Sequence, residues 1–192
     1  SFEDAEHSAF RERWGNTAVT TDQTRAALRA EFEAARLAEA ARLQMASALY
    51  SAAKSGRAEQ VRGYLSNGAD PNAGGEDGFT PLMTASEAGH EAVVDLLVQH
   101  TGCAVNARNQ YGQTALSLAA INGHVFTTLR LLEVAGVDVE CVSGGFSAAE
   151  HARRAGHAAL ADIIAGAGKQ TQLQQILHAL TDGAASGSFD SI

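Results

Sequence analysis

The sequence predicts an all-α solenoid of stacked helix-turn-helix units, joined by short β-hairpin loops and flanked by an N-terminal and a C-terminal helix. Three observations predict it. Gly56, Gly89, Gly123 and Gly156 recur 33, 34 and 33 residues apart, each after an Ala-rich stretch, and a fixed period of that length marks a repeat architecture. Nine residues before each glycine stands a hydroxyl residue, Ser47, Thr80, Thr114 or Ser147, the kind that caps a helix N-terminus. After each glycine comes a second apolar stretch with helical spacing.

The first helix of each unit therefore runs from hydroxyl to glycine. Pro81 follows Thr80 and suits the first helical position, where its missing N–H costs nothing, and Ser147 with Glu150 makes a capping box. The second helices are carried by Val61 and Leu65, by Val93, Val94, Leu96 and Leu97, by Leu129, Leu131 and Leu132, and by Leu160, Ile163 and Ile164. Each pair except the last closes in a turn and an extended run, fullest in Gly68-Ala69-Asp70-Pro71-Asn72-Ala73 and repeated in Val105-Asn106-Ala107 and Gly136-Val137-Asp138-Val139. These runs lead into the β-turn of the next unit.

The units resemble ankyrin repeats. The second reads Gly78-Phe79-Thr80-Pro81-Leu82-Met83 with Gly89-His90, and the third Gly112-Gln113-Thr114-Ala115-Leu116 with Ala119-Ala120 and Gly123-His124. The first, with Ser47-Ala48-Leu49-Tyr50 and Gly56-Arg57, and the fourth, with Ser147-Ala148-Ala149-Glu150 and Gly156-His157, are weaker, as terminal repeats should be. The resemblance covers residues 47–168, in repeats of about 47–73, 74–107, 108–141 and 142–168. Two departures stand out. Met83, Ser117 and Glu150 occupy or adjoin positions where the family favours His, which weakens or replaces that side chain's link to the neighbouring loop. Thr127 and Thr128 stand where Ile and Val are usual, which predicts a softer core in the third repeat. One extra residue near Thr101 and another near Ala135 lengthen the turns there, in loops that tolerate insertion.

A solenoid contacts only its neighbours and needs covered ends. Residues 22–46 read as a long amphipathic helix with Leu28, Phe32, Ala35, Leu43 and Ala46 on one face, interrupted by Glu39. Leu173, Ile176, Leu177 and Leu180 repeat at helical spacing within a C-terminal capping helix over 169–182. Residues 1–21 read as a short polar helix with Phe10 and Trp14 one turn apart, a staple onto the domain or an anchor into a partner, followed by a linker. Residues 183–192 read as a flexible tail.

Fourteen Lys and Arg against twenty-two Asp and Glu give a net charge of −8, so nothing here neutralises a phosphate backbone and no nucleic-acid partner is expected. No stretch has the apolar length of a membrane span. Cys103 and Cys141 have no thiol near them in sequence and read as reduced. That points to an intracellular compartment, the cytoplasm first; a start at Ser1 also allows an organelle reached by a removed targeting peptide.

No catalytic constellation, metal site or cofactor motif is found, and no small-molecule ligand is expected. His90, His124 and His157 recur one repeat apart, roughly 10 Å in a stack of helices, too far for one metal ion. Gly74-Gly75 and Gly144-Gly145 lack the Lys-Ser/Thr pair of a phosphate loop. No serine has the nucleophile-elbow setting.

What remains is a surface. The resemblance implies a concave face, made of the hairpin tips and the exposed side of the first helices, that grips a protein partner. At the tips this chain places Glu76, Asp77 and Phe79, then Arg108, Gln110, Tyr111 and Gln113, then Ser143 and Phe146. Before each glycine it places Lys54, Glu87, Asn122 and Arg154. Rings on successive tips are candidates for an interface centre, or else each packs on the next hairpin. Charge grades from acidic in the second repeat to basic at Arg153 and Arg154. The expected function is a non-catalytic protein-interaction module, an adaptor, scaffold or subunit of a larger complex. The alternative is the regulatory region of an enzyme or receptor whose catalytic part lies elsewhere.

Overall fold

The computed structural model describes residues 22–170, in two units that meet between Leu43 and Gln44. The readings of Phe10 and Trp14, of the apolar spacing at 173–180 and of the tail lie outside the described residues. In the first unit, residues 22–43 are helical, and Phe32, Leu37 and Leu43 are exposed. That helix, α1, is Asp22–Lys54. The expected break at Ser47 does not occur: Ser47 lies inside α1, because no glycine or proline falls between residues 22 and 54 and alanine-rich sequence propagates a helix already begun.

The second unit is the repeat array. After α1 come α2 (Ala58–Ser66), a single 3₁₀ turn (Glu76–Gly78), α3 (Pro81–Ala88), α4 (Glu91–Gln99), α5 (Ala115–Ile121), α6 (Val125–Leu132), a two-stranded hairpin of β1 (Val142–Ser143) and β2 (Phe146–Ser147), and α7 (Ala148–Arg154). A helix over 158–170, α8, completes the fourth pair. It runs without a break through residues 169 and 170, where the separate capping helix was expected to begin.

The caps follow the hydroxyl positions in three of four repeats. The hydroxyl oxygens of Thr80, Thr114 and Ser147 accept from the N–H groups of Met83, Ser117 and Glu150. Two of the residues standing in place of the family's histidine, Ser117 and Glu150, complete capping boxes within their own helices, while Met83 is buried in the core. The Ser147 N–H donates to the Glu150 carboxylate at 2.8 Å and holds that carboxyl below its ordinary range.

First helices pack on first helices, α3 on α5 and α5 on α7, and second helices on second, α2 on α4 and α4 on α6. Between the two layers lies a continuous core that includes Leu49, Val61, Leu82, Val94, Leu97, Leu116, Leu131, Leu160 and Ile164. Two sets of contacts lock successive repeats. The rings of His90, His124 and His157 lie against Gly56, Gly89 and Gly123 of the preceding repeat. The Nε2–H of His90 donates to the Lys54 carbonyl at 3.1 Å and that of His124 to the Glu87 carbonyl at 2.9 Å. At the other end of the second helices, Asn72 donates to the Gly102 carbonyl and accepts from the Ala104 N–H, both at 2.7 Å. Asn106 repeats the pattern with Gly136 and Asp138, at 2.7 and 2.8 Å.

The two threonines expected to soften the third repeat do face its core. Thr127 and Thr128 are fully buried. Thr128 Oγ1 donates to the His124 carbonyl at 2.9 Å, but Thr127 Oγ1 has no partner among the described residues. Both cysteines are free, and burial pushes the Cys103 thiol from 9.0 up to about 11.

Three outcomes follow for stability. Gly89 has φ +71°, and a Cβ there would fall 2.6 Å from His124 Nδ1; Gly102 has φ +92° and open space around it. In urea denaturation Gly102→Ala should therefore show only the left-handed strain of about 1–2 kcal/mol, and Gly89→Ala distinctly more, because the ring must also move. Thr127→Val should stabilise the array by about 1 kcal/mol by removing an unpaired buried hydroxyl, and Thr128→Val should gain less. The fold keeps Cys103 protonated, so the stability it contributes is complete below the unfolded value of 9.0 and is lost as pH rises toward about 11. Wild-type stability should fall more steeply across that window than that of Cys103→Ala.

Candidate protein-binding surface

Hairpin tips expose backbone and side chains because the chain reverses there, and each reversal must satisfy its own polar groups. The tip of the second repeat turns on Asp77, which adopts φ 55°, a conformation Asp tolerates better than most residues. The third repeat holds it there. The Gln110 N–H donates to the Asp77 carbonyl at 2.9 Å, and the Tyr111 hydroxyl donates to Asp77 Oδ2 at 3.2 Å. That hydrogen bond keeps the Tyr111 hydroxyl above its usual titration range. Within the third tip, Asn109 is buried, and its Oδ1 accepts from the N–H groups of Tyr111 and Gln113 at 3.0 and 2.9 Å. Its Nδ2 donates to Gln113 Oε1 at 3.0 Å. Two tips are thus joined into one polar platform.

The three tip aromatics do different things. Tyr111 is 60% exposed. Phe79 is half-buried and packs against the core. Phe146 is half-buried too; its ring meets the His151 ring edge-on with centroids 5.7 Å apart, and the Arg154 guanidinium lies 4.1 Å over it. For Phe79 and Phe146 packing therefore accounts for the ring, while Tyr111 presents its face to solvent.

Glu76 opens the 3₁₀ turn beside Asp77. Glu87, Arg108, Gln110, Asn122 and Arg154 are exposed, and Gln113 is half-buried. Asn122 Nδ2 is turned back onto the Leu118 carbonyl at 2.9 Å. Arg108 lies beside the Cys141 thiol, where it opposes the upward push of burial. Ser143, expected at a tip, is buried; its hydroxyl and its carbonyl both meet His151 Nε2, at 2.9 and 3.0 Å. Arg153 pairs with Asp162 on α8 at 3.0 Å, so the expected cations left along this face are the exposed Lys54 in the first repeat and Arg108 and Arg154 further along, against Asp77 and Glu87 in the second repeat.

Sequence reasoning missed one surface. On α6, Val125, Phe126 and Leu129 are exposed, Phe126 by 68%. In sequence, Leu129 reads with Leu131 and Leu132 among the apolar residues that carry this helix, and Val125 and Phe126 have no place in that reading; a position-by-position comparison of the second helices separates the outward three.

No helix among the described residues is long and apolar enough to cross a membrane. A 111-residue stretch is 33% identical to alpha-latrotoxin-Lt1a of Latrodectus tredecimguttatus, covering 56% of this chain and 8% of the toxin. Over 78 residues the chain is 42% identical to the E3 ubiquitin-protein ligase XBAT33 of Arabidopsis thaliana, covering 41% of this chain and 15% of the ligase. Over 81 residues it is 36% identical to ankyrin repeat domain-containing protein 63 of Homo sapiens, covering 41% and 21%. The chain thus spans between 8% and 21% of the length of these relatives. A family model of ankyrin repeats, in three copies, matches residues 48–143, half of the chain, and the fourth helix pair continues the same stacking beyond that match. By the repeat period, by the stacking that follows from it and by this match, the chain belongs to the ankyrin-repeat family.

Proposed function

We propose that the chain is a non-catalytic protein-interaction module that grips a segment of a protein partner along its tips and first helices. Ankyrin repeats generally act as protein-interaction modules, and one observation carries the reading to this face. The joined tips of the second and third repeats support an exposed Tyr111, a rigid ring with a polar end, beside Arg108 and Gln110. Ordering such a platform in advance lowers the entropy lost on binding, and Tyr and Arg are the side chains that dominate interface energetics. The spread of charge, Asp77 and Glu87 in the second repeat and Arg108 and Arg154 further along, favours a partner segment that runs from basic to acidic.

The short share of each relative that this chain covers supports a second reading, in which the array is the regulatory region of a longer enzyme or receptor. In both readings the partner is protein, and the acidic net charge of −8 speaks against nucleic acid. The two free thiols, Cys141 buried and Cys103 half-buried, favour a reducing intracellular compartment.

The test is a quantitative pull-down comparing wild type with the surface variant Tyr111→Ala, Arg108→Glu, Gln110→Ala, after its unfolding midpoint is shown to lie near that of wild type. A protein retained by the wild type should be depleted about tenfold or more with the variant, the loss expected on removing interface anchors. Equal retention by both would rule out this face.

A further inference from the structure

The second helices differ in what they show to solvent. Counted from the residue that opens each, the first, second and fifth positions are Ala58, Glu59 and Arg62 after Arg57; Glu91, Ala92 and Asp95 after His90; and Ala158, Ala159 and Asp162 after His157. After His124 they are Val125, Phe126 and Leu129, all three exposed. The fold does not require this, since the other repeats build the same helix with small or charged residues at these places. The buried face of α6 meanwhile carries Thr127 and Thr128 beside Leu131. The helix thus buries two hydroxyls and exposes one ring and two branched chains, the reverse of what burial alone selects.

The surround of this patch is acidic. On α4, which packs against α6, Glu91 is exposed and has no ion-pair partner among the described residues. Asp95 accepts from Arg130 Nε at 2.6 Å, and Arg130 also pairs with Glu133. On α8, Asp162 occupies the register position of Leu129 and pairs with Arg153. Four carboxylates stand against two guanidinium groups, which leaves −2 around an apolar centre.

We propose that the outer face of α6 docks an amphipathic helix of a partner protein, with an apolar stripe seated on Val125, Phe126 and Leu129 and Lys or Arg along its edges. The charge selects this occupant. A second copy of the chain brings the same net −8 and the same acidic rim. The chain's own apolar spacing at 173–180 lies in a segment, 171–182, whose one formally charged side chain is Asp182, so it supplies no basic edge. An anionic membrane surface is repelled by the same rim. The surface lies on the second helices, apart from the tips, and its occupancy is independent of theirs.

The probe is a labelled synthetic helix-forming peptide with a leucine stripe and arginine edges, titrated by fluorescence anisotropy into the full chain, beside a peptide with the same stripe and glutamate edges. The arginine-edged peptide should bind at least about tenfold more tightly, and Phe126→Ala should remove most of that binding. Glu91→Lys, an exposed substitution that leaves the core untouched, should narrow the preference between the two peptides, a change that mere stickiness would not produce. Tyr111→Ala should leave both affinities unchanged. The proposal is overturned if the two peptides bind alike or if Phe126→Ala has no effect. It is overturned equally if Leu173→Glu with Leu177→Glu tightens binding, which would make the chain's own segment the occupant. Self-association in sedimentation that is lost with Phe126→Ala would make the occupant a second copy.

Discussion

The array depends on a histidine ring laid over a glycine of the repeat before it. A Cβ at Gly56, Gly89 or Gly123 would fall 2.8, 2.6 or 2.4 Å from an atom of the approaching imidazole, so the ring sits where no other residue would let it sit. The same glycines take positive φ and so reverse the chain at the end of a helix. The imidazoles of His90 and His124 then donate to the Lys54 and Glu87 carbonyls, which lie in the last helical turn, where carbonyls have no intrahelical donor. Helix termination, inter-repeat spacing and satisfaction of an orphan acceptor are one contact. Asn72 and Asn106 clamp the opposite ends of the second helices to the following turns. A repeat held at both ends cannot rotate against its neighbour, which is why the tip of the third repeat meets the tip of the second in hydrogen-bonding register.

Much of this was legible because its signals are local. Thr80 with Pro81, Thr114, and Ser147 with Glu150 each satisfy donors within three residues, and a cap of that kind works wherever the preceding chain is not helical. Ser47 fails that condition. The residues before it are already helical and unbroken by glycine or proline, so the hydroxyl has no free N–H to accept from and α1 continues to Lys54. The asparagine clamps were illegible for the opposite reason, since each partner lies about one repeat away and the amide in isolation reads only as a turn residue.

The surface was legible in part. The chain turns at Asp77 and again at Asn109 to Tyr111, where tips were expected, but periodicity does not say which of three rings is covered. Arg154 over Phe146 and the core beneath Phe79 could be found only from packing, and so could the burial of Ser143. On α6, Leu129 reads together with Leu131 and Leu132, because an apolar stretch with more than one face has no unique inward side. The threonines, expected to soften the core, are the inward residues, and Phe126 is what their placement turns outward.

That inversion explains why the third repeat, and not a terminal one, can carry it. Burying Thr127 with an unpaired hydroxyl while exposing Phe126 costs the repeat on both counts: a lost hydrogen bond inside, and apolar area left in water. In a solenoid, however, the stability of a unit is its own plus that of its two interfaces. The third repeat has both, through His124 on Gly89 and Asn106 on its own turn at Gly136 and Asp138 toward the second repeat, and through His157 on Gly123 toward the fourth. A terminal repeat has one such interface, and the same sequence there would stand closer to local unfolding. The irregular repeat is thus placed where its neighbours can hold it, and the side chains that make it irregular are those the outer face displays.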